Sequence, residues 1–371
     1  MKLLPVFLLL WGAAFAQVRP PEVLWTKEYV LEKGTVYLGF ARPAPDGGFL
    51  LVGREERKHQ DDFYRYFFWR FDDSGNPVWG KHAKEQDHMW SGYSAMTATK
   101  RGYLFVKYEG ELVFFDLNGD TLWHKELHVP ILKTSGTPLF LAETPDGGFI
   151  VGASSPHFDE DNLFRLNEQG DTLWTKYFDD FHLEAVFQAP GGSFVICGGL
   201  TVGNQRHNPL NRWLGNLYGF RLIGLSEAGE ILWDKRVRKW TNFRGISFAM
   251  STGGEIFVSI PKKKFTRLER RSPTGKLLWR KRSRSIWEVR HFDLMTPPGA
   301  GVFAVGKSDS DEPAFRLDLI DKEGKIVEQK SYKTPDAYYL LTPVPNGGGF
   351  LLSAIINDAS QPKLRLIRYG P

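Results

Sequence analysis

Short apolar segments alternate with glycine-rich turns along most of the chain. Four of these segments begin with a Phe that directly follows a Gly-Gly or Gly-Gly-Ser turn, at Phe49, Phe149, Phe194 and Phe350. Runs of four to eight apolar residues bounded by glycine are typical of buried β-strands. Because glycine adopts positive φ at little cost, Asp-Gly and Gly-Gly pairs between such runs predict hairpin turns. The pattern therefore predicts an all-β chain built from hairpins.

A second unit follows each hairpin and consists of a Gly with a Trp four residues later. It occurs at Gly75/Trp79, Gly119/Trp123, Gly170/Trp174, Gly229/Trp233 and Gly275/Trp279, and a degraded copy pairs Gly324 with Glu328. A short polar residue stands three positions before each of these glycines, where its side chain can bond the backbone of its own turn. Since the large ring recurs at one structural position, we expect it to pack between neighbouring repeats.

The spacing between successive Trp residues of this unit is 44 to 59 residues, which accommodates four short strands per repeat. Such a period predicts a β-propeller of four-stranded antiparallel blades. We count seven blades, with eight as the alternative. The seventh copy is divided, because residues 364–371 supply its first half and Leu24 and Trp25 supply its second half. The N-terminal strand is thus expected to complete the last blade, which closes the ring and removes exposed sheet edges.

At these Gly and Trp positions the chain resembles the quinoprotein alcohol dehydrogenase-like (PQQ-like) propellers. Their tryptophan-docking motif places an Asp three residues before the Gly, and this Asp is kept here at Asp72, Asp116 and Asp321. The resemblance spans essentially the whole mature chain and implies a propeller. That superfamily includes pyrroloquinoline quinone enzymes, non-enzymatic scaffolds of the outer-membrane assembly type and secreted bacterial repeat proteins, and the repeats here are closest in style to the last group. The methanol-oxidising enzymes carry a vicinal disulfide, which a single cysteine, Cys197, excludes here.

The first 16 residues have the features of an export signal. Lys2 precedes an apolar run from Leu3 to Trp11, and Ala14-Phe15-Ala16 fits a cleavage site before Gln17. The run is too short for a stable transmembrane helix, and no later segment approaches 18 apolar residues. We therefore predict a secreted or periplasmic protein with one propeller domain over residues 17–371. Cys197 lies in an apolar run and is expected to be a small core residue.

The links from the outer strand of one blade to the inner strand of the next lead to the mouth of the central channel. A carbohydrate or peptide site would use aromatic rings for stacking and charged groups for directed hydrogen bonds. The candidate ligand-binding residues in these links are His88, Trp90, Tyr93, His182, Glu184, Trp240, Arg244, Trp287, Arg290, His291 and Tyr338. Histidines from different blades could hold a metal and the acidic loops could hold calcium, but no ligand spacing supports either, so we predict no metal and no cofactor.

One sector of the chain is strongly basic. Residues 234–291 contain 17 Lys and Arg against four Asp and Glu, whereas the whole chain has a net charge of +5. Such a field attracts polyanions. The candidate polyanion-binding residues are Lys262, Lys263, Lys264, Arg267, Arg270 and Arg271. A solvated outer edge of a blade would have the same composition. Nucleic acid is not expected, since the chain has an export signal and no nucleic-acid-binding motif.

No nucleophile elbow, zinc signature, phosphate loop or nucleotide fingerprint is found in the sequence. We therefore expect a non-catalytic interaction scaffold that binds a protein or glycan of the cell envelope or exterior. The alternative is a carbohydrate-active or quinone-dependent enzyme that works at the channel mouth with His182, Glu184, Arg244, Arg290 and His291.

Overall fold

The computed structural model describes residues 22–31, 35–56, 64–82, 93–107, 110–127, 137–154, 160–179, 181–200, 219–238, 246–262, 265–283, 292–295, 302–307, 314–333, 339–344, 349–356 and 361–370. Within these ranges the chain forms 28 β-strands. No helix in these ranges has the length and hydropathy needed to cross a membrane.

The strands have the following bounds in chain order: β1 (Glu22–Val30), β2 (Thr35–Pro43), β3 (Phe49–Glu56), β4 (Tyr64–Phe71), β5 (Pro77–His82), β6 (Tyr93–Thr99), β7 (Gly102–Lys107), β8 (Glu111–Asp116), β9 (Thr121–Glu126), β10 (Thr137–Glu143), β11 (Phe149–Ser154), β12 (Glu160–Leu166), β13 (Thr172–Asp179), β14 (Phe181–Gln188), β15 (Phe194–Leu200), β16 (Gly219–Leu225), β17 (Ile231–Arg238), β18 (Ser247–Met250), β19 (Ile256–Lys262), β20 (Phe265–Arg271), β21 (Leu277–Ser283), β22 (Phe292–Met295), β23 (Val302–Lys307), β24 (Ala314–Ile320), β25 (Ile326–Lys333), β26 (Tyr339–Pro343), β27 (Phe350–Ile356) and β28 (Lys363–Gly370).

These strands form seven antiparallel four-stranded sheets in the described part of the chain. Six sheets consist of consecutive strands, from β2–β5 to β22–β25, and we call them blades one to six. The remaining sheet, blade seven, has the order β1-β28-β27-β26. Its outer pair joins the two ends of the chain, with Val30 opposite Lys363 and Glu22 opposite Gly370. The pairing of the first strand with the last confirms the divided repeat.

The strands of a blade differ in burial according to their place in it. The first strands of neighbouring blades contact one another, as β2 does with β6 and β26 and β14 does with β18, so they are the innermost strands. The second and third strands are covered on both faces, and every residue of β16 is buried. The fourth strand is outermost and alternates between exposed and half-buried residues, as in β9. Full burial explains why second strands have continuous apolar sequences.

The core consists of apolar clusters that lie between blades. Phe114 of blade two and Phe149 of blade three belong to one cluster, with ring centroids 5.8 Å apart. Phe67 of blade one and Leu351 of blade seven belong to another. Cys197 is buried in the cluster between blades four and five, as its apolar surroundings in the sequence predict.

The turn between the third and fourth strands has the same construction in blades one to six. The backbone N–H after the turn glycine donates to the short polar side chain, as from Asn76 to Asp72 Oδ1 at 2.7 Å and from Glu230 to Ser226 Oγ at 3.0 Å. The turn glycines have φ between 73° and 83°. They are Gly75, Gly119, Gly170, Gly229, Gly275 and Gly324. The prediction that a side chain caps its own turn is confirmed.

Each Trp of the fourth strand lies against the turn glycine of the next blade. Trp79 Nε1 donates to the carbonyl of Leu117 at 2.9 Å, and a Cβ added to Gly119 would meet the Trp79 ring at 2.9 Å. The same contact joins Trp279 to Gly324. The ring therefore packs between neighbouring repeats, as predicted, and the turn needs glycine both for its φ and for the space that the ring occupies.

Blade six lacks the docking Trp, and the blade that follows it, blade seven, lacks the turn between its third and fourth strands. Blade six has Glu328 at the Trp position, and the side chain is exposed. In blade seven the third and fourth strands, β28 and β1, come from opposite ends of the chain, so no chain segment joins them. A Trp at position 328 would have no turn glycine to contact. The lack of a turn between β28 and β1 accounts for the degraded copy.

Candidate functional site

Three of the candidate channel-mouth residues lie in described innermost strands. Tyr93 begins β6, and His182 and Glu184 lie in β14, where the side chain of Glu184 is exposed. The others lie outside the described residues and stay predictions: His88, Trp90, Trp240, Arg244, Trp287, Arg290, His291 and Tyr338.

Four innermost strands carry a β-bulge at the same level. The pairing register shifts between Leu38 and Phe40 in β2, and the shifts in β6, β10 and β14 leave Ser94, Leu139 and Glu184 as the extra residues. A bulge redirects a side chain and is frequent beside functional sites. The bulge therefore gives Glu184 an orientation that strict alternation along β14 would not give it.

The other end of the innermost strands carries polar groups that the sequence interpretation missed. The Arg42 guanidinium, near the end of β2, donates from Nε to the carbonyl of Met96 in blade two at 3.3 Å and from Nη1 to its neighbour Ala41 at 2.9 Å. Its side chain is exposed, yet burial among the surrounding strands lowers the pKa of Arg42. Among the described residues no carboxylate pairs with it. The Arg42 guanidinium is therefore a partly desolvated cation, and within the described residues it donates only to carbonyl groups.

Two further polar side chains lie at that end of neighbouring strands. Glu143 ends β10, is half-buried and accepts the backbone N–H of Lys100, and desolvation raises the pKa of Glu143. Gln188 ends β14, and its buried Nε2 has no acceptor among the described residues. Arg42 and Glu143 thus approach blade two from both sides. In the sequence, each of these three groups is a polar residue just before a Gly-rich turn. Many solvated turns have the same pattern, so it does not single them out.

In the basic sector, the candidate arginines form a charged network inside the fold. Glu269 is fully buried and pairs with Arg271 at 2.5 Å, Arg280 at 2.8 Å and Arg267 at 3.3 Å. Burial raises the pKa of Glu269, but the arginines outweigh this effect and lower it overall. Arg270 Nη2 donates to both carboxylate oxygens of Glu255, at 2.5 and 2.7 Å. Lys262 ends β19, and Lys263 and Lys264 lie outside the described residues.

This network replaces apolar packing found in other blades. Arg267, Glu269 and Arg271 alternate on one face of β20, and the Arg271 guanidinium lies 5.0 Å from the centroid of the Phe220 ring in blade four. The matching face of β4 in blade one carries Phe67, Trp69 and Phe71. Buried ion pairs require that each charge be satisfied, because desolvation is costly. Arg267, Arg270 and Arg271 therefore have structural partners in addition to any ligand.

Three cavities involve blade one: one lies at its junction with blade two, one at its junction with blade seven, and one is lined by blade one alone. One of about 240 Å³ is lined by Phe68, Trp79, Tyr103 and Phe105, with Lys81 and His82 also in its wall. No group of three His, Cys, Asp or Glu within the described ranges is placed to hold a metal ion. The acidic loops that could hold calcium, around residues 55–62, 154–162 and 308–312, lie largely outside those ranges.

Solved structures with the same fold are β-propellers. The chain aligns with BBS1N, crystallised in complex with ARL6DN, at 13% identity over 95% of this chain and 98% of that chain, with a TM-score of 0.56. The Dos1 propeller aligns at 11% identity over 93% and 94%, with a TM-score of 0.51. BamB from Moraxella catarrhalis aligns at 14% identity over 94% and 99%, with a TM-score of 0.43, which supports no argument about function.

No protein-family model and no curated protein sequence matches this chain. At these identities the structural likeness shows the fold alone. The chain is an all-β propeller of four-stranded antiparallel sheets.

Proposed function

We propose that this protein is an exported, closed seven-bladed propeller that serves as an interaction scaffold for a protein of the cell envelope or exterior. Closure is supported by the pairing of β1 with β28 and by the contact of β2 with β26, where Thr342 Oγ1 donates to the carbonyl of Ala41 at 3.3 Å. Export is supported by the signal-like residues 1–16. The tryptophan-docking turns support our proposal that the chain is similar to the PQQ-like propellers.

The connecting segments at one end of the blades vary more than those at the other end. The turns between third and fourth strands are occupied in docking the Trp of the preceding blade. The links at the opposite end differ in length from blade to blade, and binding residues on a rigid scaffold lie mostly in such loops. The link end, where the predicted mouth residues and Glu184 lie, is therefore one candidate surface for a protein partner, and the turn end of the innermost strands, where Arg42 and Gln188 lie, is the other. BBS1N, a propeller crystallised in complex with ARL6DN, supports the idea that this fold can present a protein-binding surface.

The observation that carries the binding role is Arg42. Arginine forms strong, directed hydrogen bonds with carboxylates, and here the guanidinium bonds only carbonyl groups. A partner carboxylate, from an acidic side chain or a chain terminus, would complete its hydrogen bonding in a partly desolvated place. Gln188 Nε2, without an acceptor among the described residues, offers a second donor at the same end of the inner strands.

A second candidate function rests on Glu143. Burial raises the pKa of this carboxyl group, and a raised carboxyl pKa is how enzymes keep a general acid protonated. A carbohydrate-active or quinone-dependent enzyme is therefore the alternative. It would need a second catalytic group near Glu143, and the described neighbours that act on its carboxyl are Lys100 and Arg101.

The test is a thermal-shift screen of the mature chain from Gln17 against acidic peptides, neutral glycans, pyrroloquinoline quinone and calcium. A ligand of the native state raises the melting temperature by mass action. We expect a shift with acidic peptides that Arg42→Gln removes and Arg101→Gln, in an exposed turn, retains. A shift with glycans or quinone that Glu143→Gln removes would instead favour the enzyme, and turnover of that ligand by the mature chain would establish it. A shift that Arg42→Gln leaves intact would overturn the assignment of Arg42.

A further inference from the structure

A lysine two residues after the docking Trp crosses to the next blade. Lys81 lies over the turn of blade two and pairs with Asp120 Oδ1 at 2.5 Å. Lys125 pairs in the same way with Asp171 of blade three, and Lys27 donates to Asn76 of blade one. In each case the acceptor is the residue directly after the turn glycine. This contact, which we call the lysine clamp, joins the outer strands of neighbouring blades.

At two junctions a lysine stands at the position that the acceptor occupies in the clamp. Lys276 follows Gly275 and Lys325 follows Gly324, opposite Lys235 and Lys281 respectively. The lysine stems occupy the usual place, since a Cβ at Gly275 would meet Lys235 Cγ at 3.0 Å and one at Gly119 would meet Lys81 Cδ at 3.2 Å. All four lysines are exposed, and the described residues provide none of them with an ion pair.

These two junctions, where a lysine faces a lysine, are called inverted clamps. Their surroundings differ. The turn of blade five contains Ser272 and Thr274, whose hydroxyl oxygens lie 3.0 Å apart, and no carboxylate. Beneath it, the buried Arg271 donates to the carbonyl of Gly275 at 2.9 Å and has Glu269 as its counter-ion. The turn of blade six contains Asp321 and Glu323 together with Lys322 and Lys325, so its side chains carry no net charge. The turn of blade five is therefore the more positive of the two turns.

We propose that Lys235 and Lys276, with the Thr274 hydroxyl, form a binding site for a sulfate or phosphate group. Lys281 and Lys325 form a weaker second site one blade further along the rim. A polyanionic chain bearing such groups spans both sites. Two ammonium groups at one junction repel each other in the free protein, and an oxyanion between them reverses that repulsion. This site lies on the outer edge of the blades and is independent of the protein partner proposed above.

Substitutions that restore the clamp provide the test. Lys276→Asp recreates the arrangement of Lys81 with Asp120, so it removes the site while supplying a native-like ion pair. Binding of a labelled heparin octasaccharide to the mature protein, followed by fluorescence anisotropy, should weaken about tenfold with Lys276→Asp and about threefold with Lys325→Asp. Lys100→Asp makes the same change of net charge in an exposed turn of blade two and should stay within about twofold.

Equal effects of Lys276→Asp and Lys100→Asp would overturn the site and leave only a net-charge effect. The melting temperature of each variant shows whether it is folded. The converse variant, Asp120→Lys, should strengthen octasaccharide binding by creating a third inverted clamp, and no gain would contradict the proposed geometry. Polyphosphate should compete at far lower concentration than inorganic phosphate. Equal competition per phosphate group would overturn the use of both sites by one chain.

Discussion

Trp25, in the first strand of the chain, donates from Nε1 to the carbonyl of Asp73, 48 residues later, at 3.2 Å. Its ring also packs over Gly75 and lies 6.1 Å from Phe49, measured between ring centroids. Because β1 belongs to the sheet of the last blade, this contact connects blade seven to blade one. It is the same contact that Trp79 makes within the continuous part of the chain, so the junction between the chain ends has the construction of an internal one.

Trp25→Ala should therefore destabilise the protein as much as the loss of a docking Trp between two internal blades. We expect the free energy of unfolding to fall by about 3 kcal/mol, since a packed aromatic ring and a hydrogen bond are lost. Thr26→Ala, on the exposed side of the same strand, should change it by no more than about 0.5 kcal/mol. Urea denaturation followed by Trp fluorescence and circular dichroism measures both. A small effect of Trp25→Ala would show that β1 contributes little to stability.

Gly119→Ala should lower the free energy of unfolding by more than its positive φ alone would cause. Gly119 has φ of 76°, and its added Cβ would meet the Trp79 ring at 2.9 Å. Gly191 has φ of 89° with no atom within 4 Å of the added Cβ. Gly191→Ala should thus lose about 1 kcal/mol and Gly119→Ala about 3 kcal/mol in urea denaturation. Equal losses would mean that the ring moves aside freely.

Glu328→Trp should not stabilise the protein, although it restores the repeat. Blade seven has no turn at the position where the ring would pack, so the new side chain would remain exposed. We expect a change in unfolding free energy within about 0.5 kcal/mol. The reverse change at an intact junction, Trp279→Glu, should cost about 3 kcal/mol because Trp279 packs on Gly324. A clear gain from Glu328→Trp would contradict our explanation of the degraded copy.

Glu143→Gln should stabilise the protein at neutral pH and have little effect in acid. Burial raises the pKa of Glu143, so the native state favours the protonated carboxyl. Its contribution to stability is full below the ordinary value of 4.5 and is lost as the pH rises through the higher native pKa. The advantage of Gln should therefore grow from about pH 4 to pH 7. Melting temperatures over that range, with exposed Glu126→Gln as control, measure it; a constant difference would contradict the raised pKa.

Most of the fold could be predicted from local patterns. Phe49, Phe149 and Phe194 each begin a buried second strand after a glycine turn, as the apolar runs indicate. The capped turns and the docking Trp also follow from the repeated motif. The candidate site was harder to predict. His182 and Glu184 were assigned to the mouth by topology alone, whereas Arg42 and Glu143 stand just before Gly-rich turns, where polar residues are common.

The basic sector shows why charge along the chain is an incomplete guide to binding. Arg267, Arg270 and Arg271 were candidates because they are dense in sequence, but Glu269 and Glu255 neutralise part of that charge inside the fold. Lys235 and Lys276 belong to the basic sector but were not among the candidate polyanion-binding residues, since nothing in a linear sequence shows that they lie at one junction. Their relevance depends on a contact between consecutive repeats.

The sequence by itself determined the strands, the turns, the repeat and the division of the last copy between the chain ends. Each of these depends on interactions within a few residues, such as glycine at positive φ or a polar side chain bonding its own turn, so it is visible as a motif. The tertiary structure alone decided which polar and charged groups meet. Arg42 reaches Met96 54 residues away, and Lys81 reaches Asp120 39 residues away. Such partners belong to different blades and are set by radial packing, which no local pattern records.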